Sequence, residues 1–207
     1  MKIEKIEASK HITGRFLLYL EGGDAPLKVT EAEMLTFDLH RGRDLDEATL
    51  AELSEAGTLS GAKGRAAALI GSRPLSKQAL IRRLTDKGET AEHAAAAADW
   101  LEEIGAVNDA DYAALLVRHY GEMGYGARRL REKFYEKGVP KELWDDALLE
   151  LTDPAEQIDR FLASKLRGRI PDEKERKRLS DALSRRGYDW GDIRAALRRV
   201  AETELTD

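Results

Sequence analysis

With 207 residues, 42% of them apolar, and no cysteine, the chain can fill more than one packed core and excludes disulfide and thiolate chemistry. Its formal net charge of −5 argues against a general polyanion binder. No run of 18 apolar residues occurs and the opening MKIEKIEASK is charged, so neither a membrane span nor a secretory leader is expected, and a reducing cytoplasm fits.

The first 29 residues carry strand chemistry. Ile3 and Ile6 begin an extended stretch, Phe16 to Leu20 is rich in strand formers, and Glu21-Gly22-Gly23-Asp24 supplies a turn before Leu27 and Val29, which predicts a β-hairpin. Thr30 and Glu33 have capping-box spacing ahead of Met34, Leu35 and Phe37, with Gly42 as a stop. Asp46 then predicts the cap of a second short helix carrying Leu50 and Leu53, and this small α+β module, residues 1–58, closes near Gly57.

From Leu59 the pattern turns helical throughout, and one stretch recurs. Leu80, Leu84 and Gly88 align with Leu130, Phe134 and Gly138 and again with Leu179, Leu183 and Gly187, the glycines lying 50 and 49 residues apart. Each copy sets two apolar side chains four apart on one helical face and ends it with Lys-Gly or Arg-Gly, a left-handed C-terminal cap. Thr90, a first-turn Pro140 and Asp189 start the helices that follow. Lead helices are expected over 62–71, from Asn108 or Asp109 through His119, and from Asp153-Pro154 to about Leu166. The fold class is therefore mainly α: three three-helix repeats, 59–106, 107–152 and 153–207, the last with an acidic tail. Ala94 to Ala98 forms a small-residue face suited to close helix packing.

Catalytic chemistry has little footing. His11, His40, His93 and His119 lack metal-ligand spacing, and His93 is expected on the surface. Asp145-Asp146 and Glu102-Glu103 point apart on their helices as solvated faces. Gly121-Glu-Met-Gly124-Tyr-Gly126 before Arg128 and Arg129 admits a phosphate-loop reading, but it follows a helix rather than a strand, which favours a tight helix-helix turn. Trp100, Trp144, Phe134 and Phe161 are expected in cores, with Tyr112, Tyr125, Tyr188 and Trp190 partly exposed. The chain is read as a non-enzyme without metal or cofactor.

What remains is basic. Residues 155–200 hold 13 basic and 8 acidic side chains, net +5, against net −5 for residues 1–60 with 7 and 12. Arg128, Arg129, Arg131 and Lys133 form one group; Arg167, Arg169, Lys174, Arg176, Lys177 and Arg178 form another, with Arg185, Arg186, Arg194, Arg198 and Arg199 nearby. Arg194 and Arg198 lie four apart on one side of a helix whose other side holds Ile193, Leu197 and Val200, so the cations form a stripe that fits phosphates or an acidic protein surface.

The order and spacing of these pieces resemble the RecX family of RecA modulators. The residues that carry the likeness are Arg73-Pro74-x-Ser76-x3-Leu80-x3-Leu84-x2-Lys87-Gly88, then Asn108-Asp109-x2-Tyr112-Ala113. They continue with Gly124-x-Gly126-x2-Arg129-Leu130, Lys137-Gly138-Val139 and Arg185-Arg186-Gly187-Tyr188. The resemblance covers about residues 60 to 200, and the N-terminal hairpin with its LDEATLAEL helix is similar to the extension of longer members. It implies an elongated, curved repeat array that lies along the groove of a RecA filament on single-stranded DNA. There it would inhibit ATP hydrolysis and strand exchange, promote disassembly, and so modulate recombinational repair and the SOS response, acting as a monomer; the net acidity of this chain departs from the family and leads to the expectation of weak DNA binding of its own. Two other readings stay open: a general nucleic-acid-binding helical module without RecA dependence, and a helical-repeat scaffold for another protein.

Overall fold

Residues 1–202 are described by the computed structural model; residues 203–207, most of the expected acidic tail, lie outside them. The chain divides into two units, 1–107 and 108–207.

In the first unit, strand formers give three strands, β1 (Ile3–Ala8), β2 (Arg15–Leu20) and β3 (Leu27–Thr30), in an antiparallel sheet of order β1-β2-β3. The expected hairpin is thus half of a three-stranded meander. Alternation sends Ile3, Leu18, Leu20 and Val29 to the core with Leu39, Leu45 and Leu53. Helix α1 (Glu31–Thr36) opens on a complete capping box: the Thr30 N–H donates to Glu33 Oε2 at 2.6 Å and the Glu33 N–H to Thr30 Oγ1 at 3.2 Å.

The sequence reading ends a short helix near Gly57 and starts another at residue 62; the structure instead runs one helix, α2, from Glu47 to Ser72, so the boundary expected at 58/59 falls inside it. The glycines that suggest a stop do packing work. A Cβ on Gly57 would sit 2.7 Å from the Lys28 carbonyl of β3, so glycine lets the strand reach the helix. Further along, Ala62 and Ala66 are fully buried with Ala94, Ala97 and Ala98 of α4 (Ala91–Glu103), and this close contact offsets the roughly 1 kcal/mol that each helical glycine costs. Helix α3 (Lys77–Asp86) is capped by Ser76 and followed by Gly88 at φ +95°. His93 is buried rather than on the surface, because α4 turns it toward α2, where its Nε2 lies 2.6 Å from Glu55 Oε1. No cluster of metal-ligating side chains occurs among the described residues.

The second unit holds α5 (Asp109–Glu122), α6 (Ala127–Lys137), a 3-10 turn (Lys141–Leu143), α7 (Trp144–Leu148), α8 (Pro154–Leu166), α9 (Glu173–Arg186) and α10 (Trp190–Glu202). Asn108 caps α5, and Asp153 with Pro154 starts α8 as expected. The last helix of the middle repeat differs from expectation. Pro140 stands before a 3-10 turn instead of inside a helix, and only five residues of α-helix follow. The Trp144 indole N–H, donating to the Val139 carbonyl at 3.0 Å, ties this short segment back to the end of α6. Tyr112 and Tyr188, expected to be partly exposed, are buried: Tyr112 belongs to the α5–α7 core and Tyr188 to that of α8–α10. Phe134 is fully buried, and Trp100, Trp144 and Phe161 pack partly buried against their cores.

The middle and third repeats meet backbone to backbone. The Gly126 N–H donates to the Arg186 carbonyl at 2.8 Å and the Arg128 N–H to that of Gly187 at 3.3 Å. Gly187 is at φ +91°, and a Cβ there would lie 2.3 Å from Arg129 N. The repeat glycine therefore serves both as a helix cap and as a contact point. Among the described residues no helix is long and apolar enough to cross a membrane.

Candidate functional site

The cations singled out in the sequence separate into three kinds once their partners are seen. The first kind holds the repeats together. Arg186 Nη1 donates to the Met123 carbonyl at 2.9 Å while its guanidinium lies 4.8 Å from the Phe161 ring centroid, and Arg128 Nη2 donates to the Ser184 carbonyl. Arg128 joins α6 to α9, and Arg186 joins the end of α9 to the turn before α6.

The second kind is neutralised locally. Arg129 pairs with Glu132, Arg131 with Asp145 at 3.0 Å, Lys133 with Glu136 at 2.6 Å, and Arg169 with Glu175 at 2.9 Å. The hydrogen bond from Lys133 holds the Glu136 carboxyl below its ordinary range, and the one to Glu132 raises Arg129. The glycine loop before α6 joins this group of closed interactions. Its Gly126 amide, and the Arg128 amide just inside α6, are bonded to the third repeat, so the helix-turn reading holds and these two amides are taken.

The third kind points outward. Lys174, Arg176, Lys177 and Arg178 on α9 are exposed, as are Arg167 and Arg185 at the ends of α8 and α9. Among the described residues none of them has a carboxylate within ion-pair distance. Helix α9 stands beside α10, and a groove of about 330 Å³ lies between them, lined by Arg176, Lys177, Ser180, Trp190, Ile193, Arg194, Leu197, Arg198 and Ala201. The amphipathic period of α10 builds its share: Ile193 and Ala196 are fully buried, which turns Arg194 and Arg198 outward. Arg194 lies 5.9 Å from the centroid of Trp190, which is 56% exposed, and Arg198 has an exposed partner in Glu202 at 3.6 Å.

Four cations around an apolar floor, with an aromatic ring at one end, can hold an anion attached to something flat or apolar. Its cations, apolar floor and exposed ring are the elements of a binding surface. Sequence reasoning placed Arg194 and Arg198 here but left Trp190 unassigned. Its signal was the four-residue step to Arg194, which puts both on one face.

Against this geometry, the chain is 31% identical over 211 residues to the Regulatory protein RecX of Levilactobacillus brevis, covering 99% of this chain and 77% of that relative. The chain belongs to the RecX family. The family description "RecX, second three-helix domain" matches residues 108–148, the segment that holds α5, α6 and the short α7. The Pseudomonas fluorescens RecX regulatory protein is 33% identical over 133 residues, 63% of this chain and 86% of its own length. A crystal structure of regulatory protein RecX superposes with a TM-score of 0.76 at 26% identity, over 94% of this chain and 98% of that one. RecX from Lactobacillus salivarius, at 18% identity and a TM-score of 0.64 over 70% of this chain and 98% of its own, shares the fold. Membership in a family of regulatory proteins agrees with a site built for binding.

Proposed function

We propose that this chain binds RecA filaments on single-stranded DNA and inhibits RecA's ATP hydrolysis and strand exchange, acting as a non-enzymatic modulator of recombinational repair and the SOS response in the cytoplasm. The observation that carries the reading is the nearly full-length match to a Regulatory protein RecX. The third repeat supports it physically. A concentration of exposed cations, most of them without a carboxylate partner among the described residues, on a protein with net charge −5 favours one local anionic contact over general adhesion to polyanions. Lys174, Lys177, Arg178, Arg185, Arg194 and Arg198 are the residues assigned to the filament, joined by Arg167 at the head of the loop. Arg128 and Arg186 act indirectly, by fixing how α6 meets α9.

Titration into a single-stranded-DNA-dependent RecA ATPase reaction tests the reading, beside a DNA-only binding control. Inhibition well below equimolar protein is expected, with DNA-only binding weak, in the range of about 10⁻⁴ to 10⁻⁶ M at physiological salt. Reversing the charges of Arg194 and Arg198 to glutamate should raise the concentration for half-inhibition about tenfold or more, the scale of ~1.4 kcal/mol, with helicity unchanged. Full inhibition by that variant would remove the stripe from the proposal.

The exposed Trp190 beside Arg194 favours one second reading, direct stacking on nucleobases by a general nucleic-acid module. Tight DNA binding by the protein alone, falling steeply with salt, together with no effect on RecA, would favour it.

A further inference from the structure

The first unit contains a cavity that the regulatory reading leaves without a role. It measures about 880 Å³ and lies between the turn joining β1 to β2, strands β2 and β3, and the middle of α2. That volume falls in the range of about 300 to 1,000 Å³ typical of small-molecule sites. Leu17 pairs with Lys28 across β2 and β3 and so shares a face of the sheet with it, which sets an apolar side chain beside the cation, and Gly61 and Gly64 of α2 also line the cavity. A Cβ on Gly64 would meet nothing within 4 Å, so nothing crowds glycine into that position, although most residues suit a helix interior better.

The charge of the lining runs against its surroundings. Residues 1–60 hold 12 acidic and 7 basic side chains, yet among the described residues no carboxylate lines the cavity, whereas His11, Arg15, Lys28 and Arg65 do. Arg65 is compensated by Glu89. Arg15 and Lys28 have no carboxylate within ion-pair distance among the described residues. Arg15 is half-buried at the cavity, its Nη1 donating to the Lys28 and Gly57 carbonyls, each at 3.4 Å. A guanidinium and an ammonium beside an apolar side chain suit an amphipathic anion, whose acid group meets the cations while its body covers the apolar surface.

We propose that this cavity is a binding site for a small amphipathic anion, an acyl or aryl body against Leu17 with one acid group on Arg15 and Lys28. The proposal is independent of the RecA reading. It is tested on the full chain with 1-anilinonaphthalene-8-sulfonate as a fluorescent probe, displaced by decanoate or, in parallel, by decanol. Saturable one-to-one binding is expected, with decanoate displacing the probe at least tenfold more effectively than decanol.

Gly64→Leu should fill the space and weaken probe binding tenfold or more with an unchanged circular dichroism spectrum. Lys28→Gln, an exposed change, should remove the preference for decanoate over decanol. The proposal is overturned by unsaturable binding, by equal displacement by decanol, or by a folded Gly64→Leu variant that binds like the parent. Saturable binding of an acidic peptide with none of either small anion would overturn it in favour of a protein partner.

Discussion

The first and third repeats have the same helix order and the same glycine after the middle helix, but they are built from different materials. The first is packed with alanine: Ala62, Ala66, Ala79, Ala94, Ala97 and Ala98 surround Leu80, Leu84 and Leu101. The third uses Ile158, Leu162, Leu166, Leu179, Leu183 and Ile193. Their surfaces differ in how the cations are distributed. In the first, Lys77 lies 2.7 Å from Asp99 and 2.6 Å from Glu102, and Arg65 is paired with Glu89. In the third, the α9 cations from Lys174 to Arg178, apart from the intervening Glu175 that pairs with Arg169, face outward without carboxylate partners among the described residues. The first repeat also leaves Arg73, Arg82, Arg83 and Lys87 without a carboxylate partner among the described residues, so the difference is one of concentration: the third repeat gathers four such cations on the single helix α9, where they can act together on a partner.

The equivalent glycines give the sharpest test of that contrast. Gly187→Ala should destabilise the protein by about 3 to 5 kcal/mol, because the methyl group adds a collision with the Arg129 backbone to left-handed strain. Gly88→Ala meets nothing within 4 Å and should cost only the strain, about 1 to 2 kcal/mol. Equal losses in urea unfolding would show that the backbone contact at Gly187 does not matter.

The cores predict opposite sensitivities. Leu183→Ala should open a cavity at a cost of about 3 kcal/mol. At Ala97 the harmful change is enlargement, and Ala97→Leu should cost about 2 kcal/mol by forcing α4 from α2. Thermal unfolding of both variants checks this; a stable Ala97→Leu protein would mean that the alanine contact is loose.

The smallest effect concerns Lys77. Hydrogen bonds to Asp99 and Glu102 raise its pKa above the ordinary lysine value, so the pair's contribution is complete below about pH 10 and declines as the pH rises beyond the unfolded-state value of ~10.4. Lys77→Met should cost less than about 1 kcal/mol near neutrality, and the gap between the two proteins should narrow from pH 9 to pH 11. A constant gap would assign the effect to packing of the lysine stem.

Much of this was legible in the chain. The period of 49 to 50 residues, the three glycines at φ +95°, +71° and +91° and the caps at Thr30, Asp46, Thr90 and Asp153 follow from local rules, since a cap is decided by residues within one turn of it. The alanine run over 94–98 announced close packing. For the candidate site, the Arg194–Arg198 stripe could be read from helical spacing, but the separation of free cations from engaged ones could not. Arg186 and Lys177 look alike in sequence, and only the Met123 carbonyl and the Phe161 ring distinguish them.

The sequence by itself determined what is local and periodic: helical repeats, their caps, an N-terminal sheet and a basic third repeat. The tertiary structure decided what depends on neighbours distant in the chain. It made Gly57 a contact for β3 inside one 26-residue helix, buried His93 against Glu55, turned Tyr188 inward and placed Trp190 at the end of a cationic groove. Glycine's helix penalty is about 1 kcal/mol, and a close helix-strand or helix-helix contact outweighs it. Which contact a given residue meets is set by packing, which the one-dimensional pattern does not contain.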